Sequence, residues 1–195
     1  MPNIGDSERK TQNRVVKFFR DKLHYTYLGN LHDSENRNIM PERLHAWLLK
    51  QGYSEKLAAN AVDVLVKTST NLQQGLYHAN KEVYSLLKYG AKVKESVEQS
   101  PKTVYFIDFE DISKNDFYIG EEVTIVSNNT KRPDIVIYVN GIALAVIELK
   151  KSSVSVSNGI RQNLTNQKSN FIEDFFTTIQ FCMAGNDSEG LRYGT

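Results

Sequence analysis

Residues 132–151, RPDIVIYVNGIALAVIELKK, constrain the fold more than any other stretch of this chain. PDIVIYV and IALAVIELK read as strands apolar on both faces. Such strands belong inside a sheet, where an ionised side chain is costly unless it has a partner or a metal. Between them stands Asn140-Gly141, the strongest short hairpin signal in the sequence, which folds the second run back along the first. Yet Asp134 opens one strand, and Glu148, Lys150 and Lys151 close the other. A period of two puts Glu148 and Lys150 on one face and Leu149 on the other.

Register decides whether Asp134 joins them. With a two-residue loop of Asn140 and Gly141, Val139 opposes Ile142 and Asp134 faces Ile147, so the acid points away from Glu148 and Lys150. A three-residue loop, or a bulge between the two acids, shifts the register by one and gathers all three around one cleft. The structural alternative is that Asp134 only turns the chain after Pro133, and that Glu148 and Lys150 form a surface ion pair. The apolar flanks argue against it.

The rest of the chain supplies a frame. Asp6 or Ser7 can cap a helix carrying Val15, Val16, Phe19 and Leu23, with Glu8 and Gln12 one turn apart near its start. Pro41 opens a helix through Leu44, Trp47 and Leu48 that Gly52 closes; Ser54 caps SEKLAANAVDVLVKTS; a further helix over 79–89 ends at Gly90. From Lys102 the period changes. TVYFIDF, EEVTIVS, the two hairpin runs and TTIQFCM read as strands, and SSVSVSN leads into a helix over 159–176. The expectation is an α/β fold with a mixed β-sheet of about five strands flanked by helices, and a mostly helical N-terminal portion. One domain over 1–195 would have 30–80 as a helical insertion or lobe and 100–185 as the α/β core.

Composition excludes more than it assigns. The 24 Lys+Arg and 23 Asp+Glu leave a net charge of +1, so contact with nucleic acid must come from a local patch. The single cysteine, Cys182, rules out a disulfide framework and a cysteine zinc site; a buried free thiol in a reducing compartment is expected. The start, MPNIGDSERKTQN, lacks an apolar signal-peptide core, and no run is long enough to span a bilayer, which predicts a soluble cytoplasmic protein without membrane contact. Histidines at 24, 32, 45 and 78 show no metal-ligand spacing, and Trp47 and the tyrosines read as packing residues. No GxxxxGK[ST] stretch occurs; GNDSEG at 185–190 lacks the lysine.

Two carboxylates and one ammonium at the end of a buried hairpin suit phosphodiester hydrolysis. Carboxylate oxygens hold a hard cation such as Mg²⁺ in a water-rich shell that also takes a phosphate oxygen. A neighbouring lysine can orient the attacking water and stabilise the anionic transition state.

Pro133-Asp134 followed by Glu148-Leu149-Lys150 resembles the PD-(D/E)xK nuclease motif, and VNGIALAVIELKK is similar to the nuclease domain of the restriction (R) subunit of type I restriction enzymes. VYSLLKYGAKVKE, TVYFIDFED and NDFYIGEEVTI upstream, and GIRQNLTNQ and LRYGT downstream, extend the likeness over roughly 83–195. The resemblance implies a restriction-endonuclease-like fold, with Asp134, Glu148 and the Leu149 carbonyl as Mg²⁺ ligands and Lys150 as the catalytic lysine. Glu8 could support the metal from the first helix, or be a solvated charge favoured by the helix dipole. Gln162 fits a glutamine that the family often carries after the motif, but the tyrosine expected four residues on is Asn166. Lys131, Arg132 and Lys151 make a phosphate rim, to which Arg161 and Lys168 could add from the following helix.

What the resemblance implies is a Mg²⁺-dependent endonuclease module acting on double-stranded DNA. It would work with modification and specificity subunits through a longer chain that continues into an ATP-driven translocase, so ATP would not bind to this part. A catalytically idle docking module with the same fold, or a stand-alone repair nuclease ending at Thr195, is the competing expectation.

Overall fold

In the computed structural model, which describes residues 8–194, the hairpin lies at the middle of a six-stranded sheet. Its strands are β7 (Ile135–Val139) and β8 (Ile142–Leu149), and nearly every residue in both is buried. Ahead of it come α1 (Glu8–Asp21), β1 (Thr26–Asn30), α2 (Pro41–Lys50), α3 (Glu55–Ser69), α4 (Leu76–Tyr89), β2 (Ala91–Val93), β3 (Lys102–Val104), β4 (Phe117–Glu121), β5 (Ile125–Val126) and β6 (Thr130–Lys131). After it come α5 (Val156–Asn166), a 3₁₀ turn at Glu173–Thr177, β9 (Phe181–Asn186) and β10 (Gly190–Gly194). The main sheet runs β1-β4-β7-β8-β9-β10, with β1–β4 and β8–β9 parallel and its other neighbours antiparallel. This is a mixed α/β fold with a helical N-terminal part, of the restriction-endonuclease-like kind.

The two faces of the sheet have separate cores. On one, Val16 of α1 meets Ile119, Ile135, Ile137, Ile147 and Leu149. On the other, Val136, Tyr138 and Val146 pack with Ile172, Phe175 and Phe176. A third cluster joins α2, α3 and α4 to the turn end of the hairpin through Val139 and Ile142, with Trp47 at 2% exposure donating Nε1–H to the Lys114 carbonyl at 2.9 Å.

Several expectations from the sequence need correcting. The strand anticipated at TVYFIDF shrinks to Lys102–Val104 and pairs with β2 in a separate ribbon, outside the main sheet. EEVTIVS is not one strand: the ladder uses Phe117–Glu121, and Glu122 then turns away with φ +52, a left-handed backbone uncommon for a residue with a side chain. The helix expected over 159–176 starts earlier, at Val156, and stops at Asn166. Cys182 is half-buried rather than buried, and burial still pushes its thiol up to about 11. The cap expected from Asp6 or Ser7 falls outside the described residues. Ser54 does cap α3, accepting from the Leu57 N–H at 3.3 Å.

The loop of the hairpin has two residues, Asn140 at φ +54 and Gly141 at φ +88, as a type I′ turn requires. Asn140 is fully buried: its Oδ1 accepts from the Asp116 N–H at 2.7 Å and its Nδ2 donates to the Phe106 carbonyl at 2.9 Å. The register correction therefore comes from a bulge. Tyr138 pairs with Ala143 but Ile137 pairs with Ala145, leaving Leu144 extra. Beyond it Val136 opposes Val146 and Ile135 opposes Ile147. Asp134 and Glu148 continue that ladder as facing positions.

Candidate active site

The bulge is what gathers the charged residues. Past Leu144 the alternation sends Ile147 and Leu149 to the α1 face and Val146 to the other. Glu148 and Lys150 follow Val146, and Asp134 follows Val136. Glu148 has 0% exposure, and neither of its carboxylate oxygens has a hydrogen-bond partner. Lys150 Nζ stands 3.8 Å from Glu148 Oε2 and donates to the Leu149 carbonyl at 2.9 Å. Asp134 Oδ2 accepts from the Leu149 N–H at 2.6 Å, which fixes that carboxylate against the strand end. From the start of α1, Glu8 Oε1 lies 3.9 Å from Lys150 Nζ.

The electrostatics follow from burial. Desolvation pushes Asp134 up to about 6, against the opposing pull of the Leu149 N–H and the Lys150 charge. Glu148 is held well above the ordinary carboxylate range, first by burial and then by the Asp134 charge beside it. A buried Glu148 and a half-buried Asp134, with one ammonium 3.8 Å from Glu148, are under-compensated, because an unpartnered buried charge costs on the order of several kcal/mol. A divalent cation would remove that deficit.

Asp134, Glu148 and the Leu149 carbonyl are the groups here that could hold a hard divalent cation such as Mg²⁺. Among the described residues no three His, Cys, Asp or Glu side chains converge closely enough to hold an ion. Two carboxylates and the Leu149 carbonyl leave positions for water, as a magnesium ion prefers. The two bare oxygens of Glu148 are the atoms that such an ion would satisfy.

Other residues singled out from the sequence do not converge on this point. Lys131 stacks its ammonium 4.7 Å over the Phe171 ring. Arg132 donates Nε–H to Thr124 Oγ1 at 3.2 Å and lies 4.0 Å from Glu122. Arg161 is exposed and bonded within its own turn to Asn158 Oδ1 at 3.2 Å; Lys151 is exposed, and Gln162 is half-buried on α5. Asn166 is buried at 2% exposure, and its carbonyl accepts from the Ile172 N–H at 3.1 Å, where it ends the helix.

Two residues beside the site escaped the sequence reading in this role, Gln12 and Glu121. Gln12 Nε2 reaches the Asp134 carbonyl at 3.3 Å and Glu121 Oε2 at 3.5 Å. The one available signal was the helical spacing of Gln12 from Glu8. Nothing local marks Glu121, since its partners come from other elements.

A family model described as "Type I restriction enzyme R protein N terminus" matches residues 5–195. A protein of Methanocaldococcus jannaschii named "Putative type I restriction enzyme MjaIXP endonuclease subunit" is 28% identical over 205 residues, covering 100% of this chain and 18% of that relative. The "Type I restriction enzyme HindI endonuclease subunit" of Haemophilus influenzae is 36% identical over 100 residues, 49% of this chain and 10% of its own length. The chain thus spans less than a fifth of the curated relatives it matches.

Proposed function

Given that this chain belongs to the family of type I restriction enzyme R protein N termini, we propose that it is the Mg²⁺-dependent DNA-cleaving module of such a subunit. The observation that carries the proposal is Glu148: fully buried, both oxygens without hydrogen-bond partners, facing Asp134 across the hairpin and paired only at 3.8 Å with Lys150. A sequence that needed only a stable sheet would place an apolar residue there.

Asp134, Glu148 and the Leu149 carbonyl would hold the ion. When bound, magnesium neutralises phosphate charge and makes a water easier to deprotonate. The protein's own groups do the remaining work. The Leu149 N–H holds Asp134 Oδ2 in place, so one ligand is oriented before any substrate arrives. Lys150, set between Glu148 and Glu8, keeps an ammonium at the rim, where it can orient the attacking water and stabilise charge developing on phosphate. Lys131, Arg132, Lys151 and Arg161 would contact the DNA backbone only after leaving their present partners or swinging from solvent, and would steer rather than cut. Double-stranded DNA is the substrate, and the modification and specificity subunits are partners through the full-length protein.

Cleavage of supercoiled plasmid by the full-length subunit, assembled with those partners, tests this. Chelating divalent cations should abolish cutting and added Mg²⁺ should restore it. Glu148→Ala should lower the rate by at least about a thousandfold, as loss of a principal charge-stabilising group does. Cutting by Glu148→Ala at the wild-type rate would refute the assignment.

A further inference from the structure

The Asp134 backbone is held as carefully as its carboxylate. Its carbonyl accepts from the Glu122 N–H at 2.9 Å and from Gln12 Nε2 at 3.3 Å. Glu122 can donate there because its left-handed φ of +52 turns the chain out of β4. Gln12 is itself 2% exposed, and its amide also faces Glu121 Oε2 at 3.5 Å. Glu121 is a second buried carboxylate, 4% exposed, but unlike Glu148 it is fully compensated. Arg9 NH2 donates to its Oε1 at 3.0 Å and the Tyr27 hydroxyl at 2.8 Å. Glu121 opposes Ile135 and therefore lies on the α1 face, while Asp134 directs its carboxylate to the other.

Arg9 and Tyr27 thus fix Glu121, Glu121 orients the Gln12 amide, and Gln12 grips the strand at the residue whose side chain enters the site. Glu8, one helical turn before Gln12, reaches Lys150. One face of α1 therefore addresses both ends of the charged cluster.

We propose that Gln12, braced by Glu121, Tyr27 and Arg9, is a positioning residue that sets the affinity of the Asp134–Glu148 site for its divalent cation. The proposal rests on the metal-site assignment above. Groups behind metal ligands commonly change affinity about 10- to 100-fold when removed, because a carboxylate displaced by a fraction of an ångström loses its geometry.

Gln12→Met keeps the length and packing of the side chain and removes its N–H donors. Calorimetric titration of the 195-residue chain with Mn²⁺ should show a dissociation constant raised about tenfold, while the melting temperature without metal moves little. Tyr27→Phe, at the exposed rim, should shift affinity in the same direction by about two- to fivefold without touching α1, so the test survives a folding defect in Gln12→Met. Adding Gln12→Met to Glu121→Gln should cost little beyond Glu121→Gln alone, since coupled groups are not additive. In the full-length enzyme, cleavage by Gln12→Met should recover at high Mg²⁺, which a merely structural lesion would not do. Wild-type Mn²⁺ affinity in both Gln12→Met and Tyr27→Phe, with Glu148→Gln abolishing uptake, would overturn the role of Gln12 alone. A wild-type chain that takes up no Mn²⁺ would overturn the metal site and this inference together.

Discussion

At the scale of single residues, Glu148 and Glu121 show what burial of a carboxylate requires. Both are nearly inaccessible, but Glu121 collects Arg9 and Tyr27, and Glu148 keeps two bare oxygens. The difference should appear in stability. Asp134 rises to about 6 and Glu148 well above its usual range, so the folded protein binds more protons than the unfolded chain. For a carboxyl raised on folding, stability is greatest where the group is protonated and is lost as pH rises from its unfolded value of about 4 through the folded one. Without divalent cation, the chain should therefore gain stability as pH falls from 7.5 toward 5. Glu148→Gln and Asp134→Asn should each stabilise it at pH 7.5 and flatten that slope, the Asp134 change by on the order of 1–3 kcal/mol. Thermal melts across this range decide the matter; a flat wild-type profile with destabilised variants would contradict the electrostatic picture. The acids and the lysine themselves were legible in the sequence because they interrupt apolar strands. The partners of Glu121 were not, because α1 and β1 meet it only in three dimensions.

At the scale of elements, the hairpin carried most of the recoverable information. Its strands and turn residues could be read from alternation and from Asn140-Gly141. The place of the bulge could not, because Leu144 is one apolar residue among many and only the required convergence demanded an extra one. Thr26–Asn30 was missed because it is a short, half-exposed strand, and Gly190–Gly194 because it is exposed throughout and has no apolar alternation. The overlong helix expected after the motif follows from a lack of Pro or Gly between Asn166 and Phe176; tertiary burial of Ile172 and Phe175 sets the break instead. Helix α5 still has a defined seat. A Cβ on Gly159 would stand 2.9 Å from Ala184 Cβ and 3.5 Å from Glu148 Cβ, so the helix rests almost directly on the candidate ligand. Gly159→Val should therefore destabilise the chain by about 1–3 kcal/mol through overpacking, and weaken Mn²⁺ uptake as well. Denaturant melts and calorimetry on the same variant check both, and a tolerated valine would show that α5 does not constrain Glu148.

At the scale of the whole molecule, 195 residues with net charge +1 offer no global attraction to DNA, and the matched regions make up only 18% and 10% of the two relatives' own lengths. Among the described residues no helix is long and apolar enough to cross a membrane. The charged cluster lies at the end of the central hairpin, supported on one face by α1 and on the other by α5. If the cluster cuts DNA as proposed, other parts of the full-length protein must deliver the DNA to it, so cutting should be separable from any movement along DNA. The most direct test is Lys150→Ala in the full-length restriction enzyme, with DNA cleavage, ATP hydrolysis and translocation measured side by side. Loss of cleavage with ATP hydrolysis and translocation intact is the expected result, and cleavage retained at the wild-type rate would contradict the nuclease assignment.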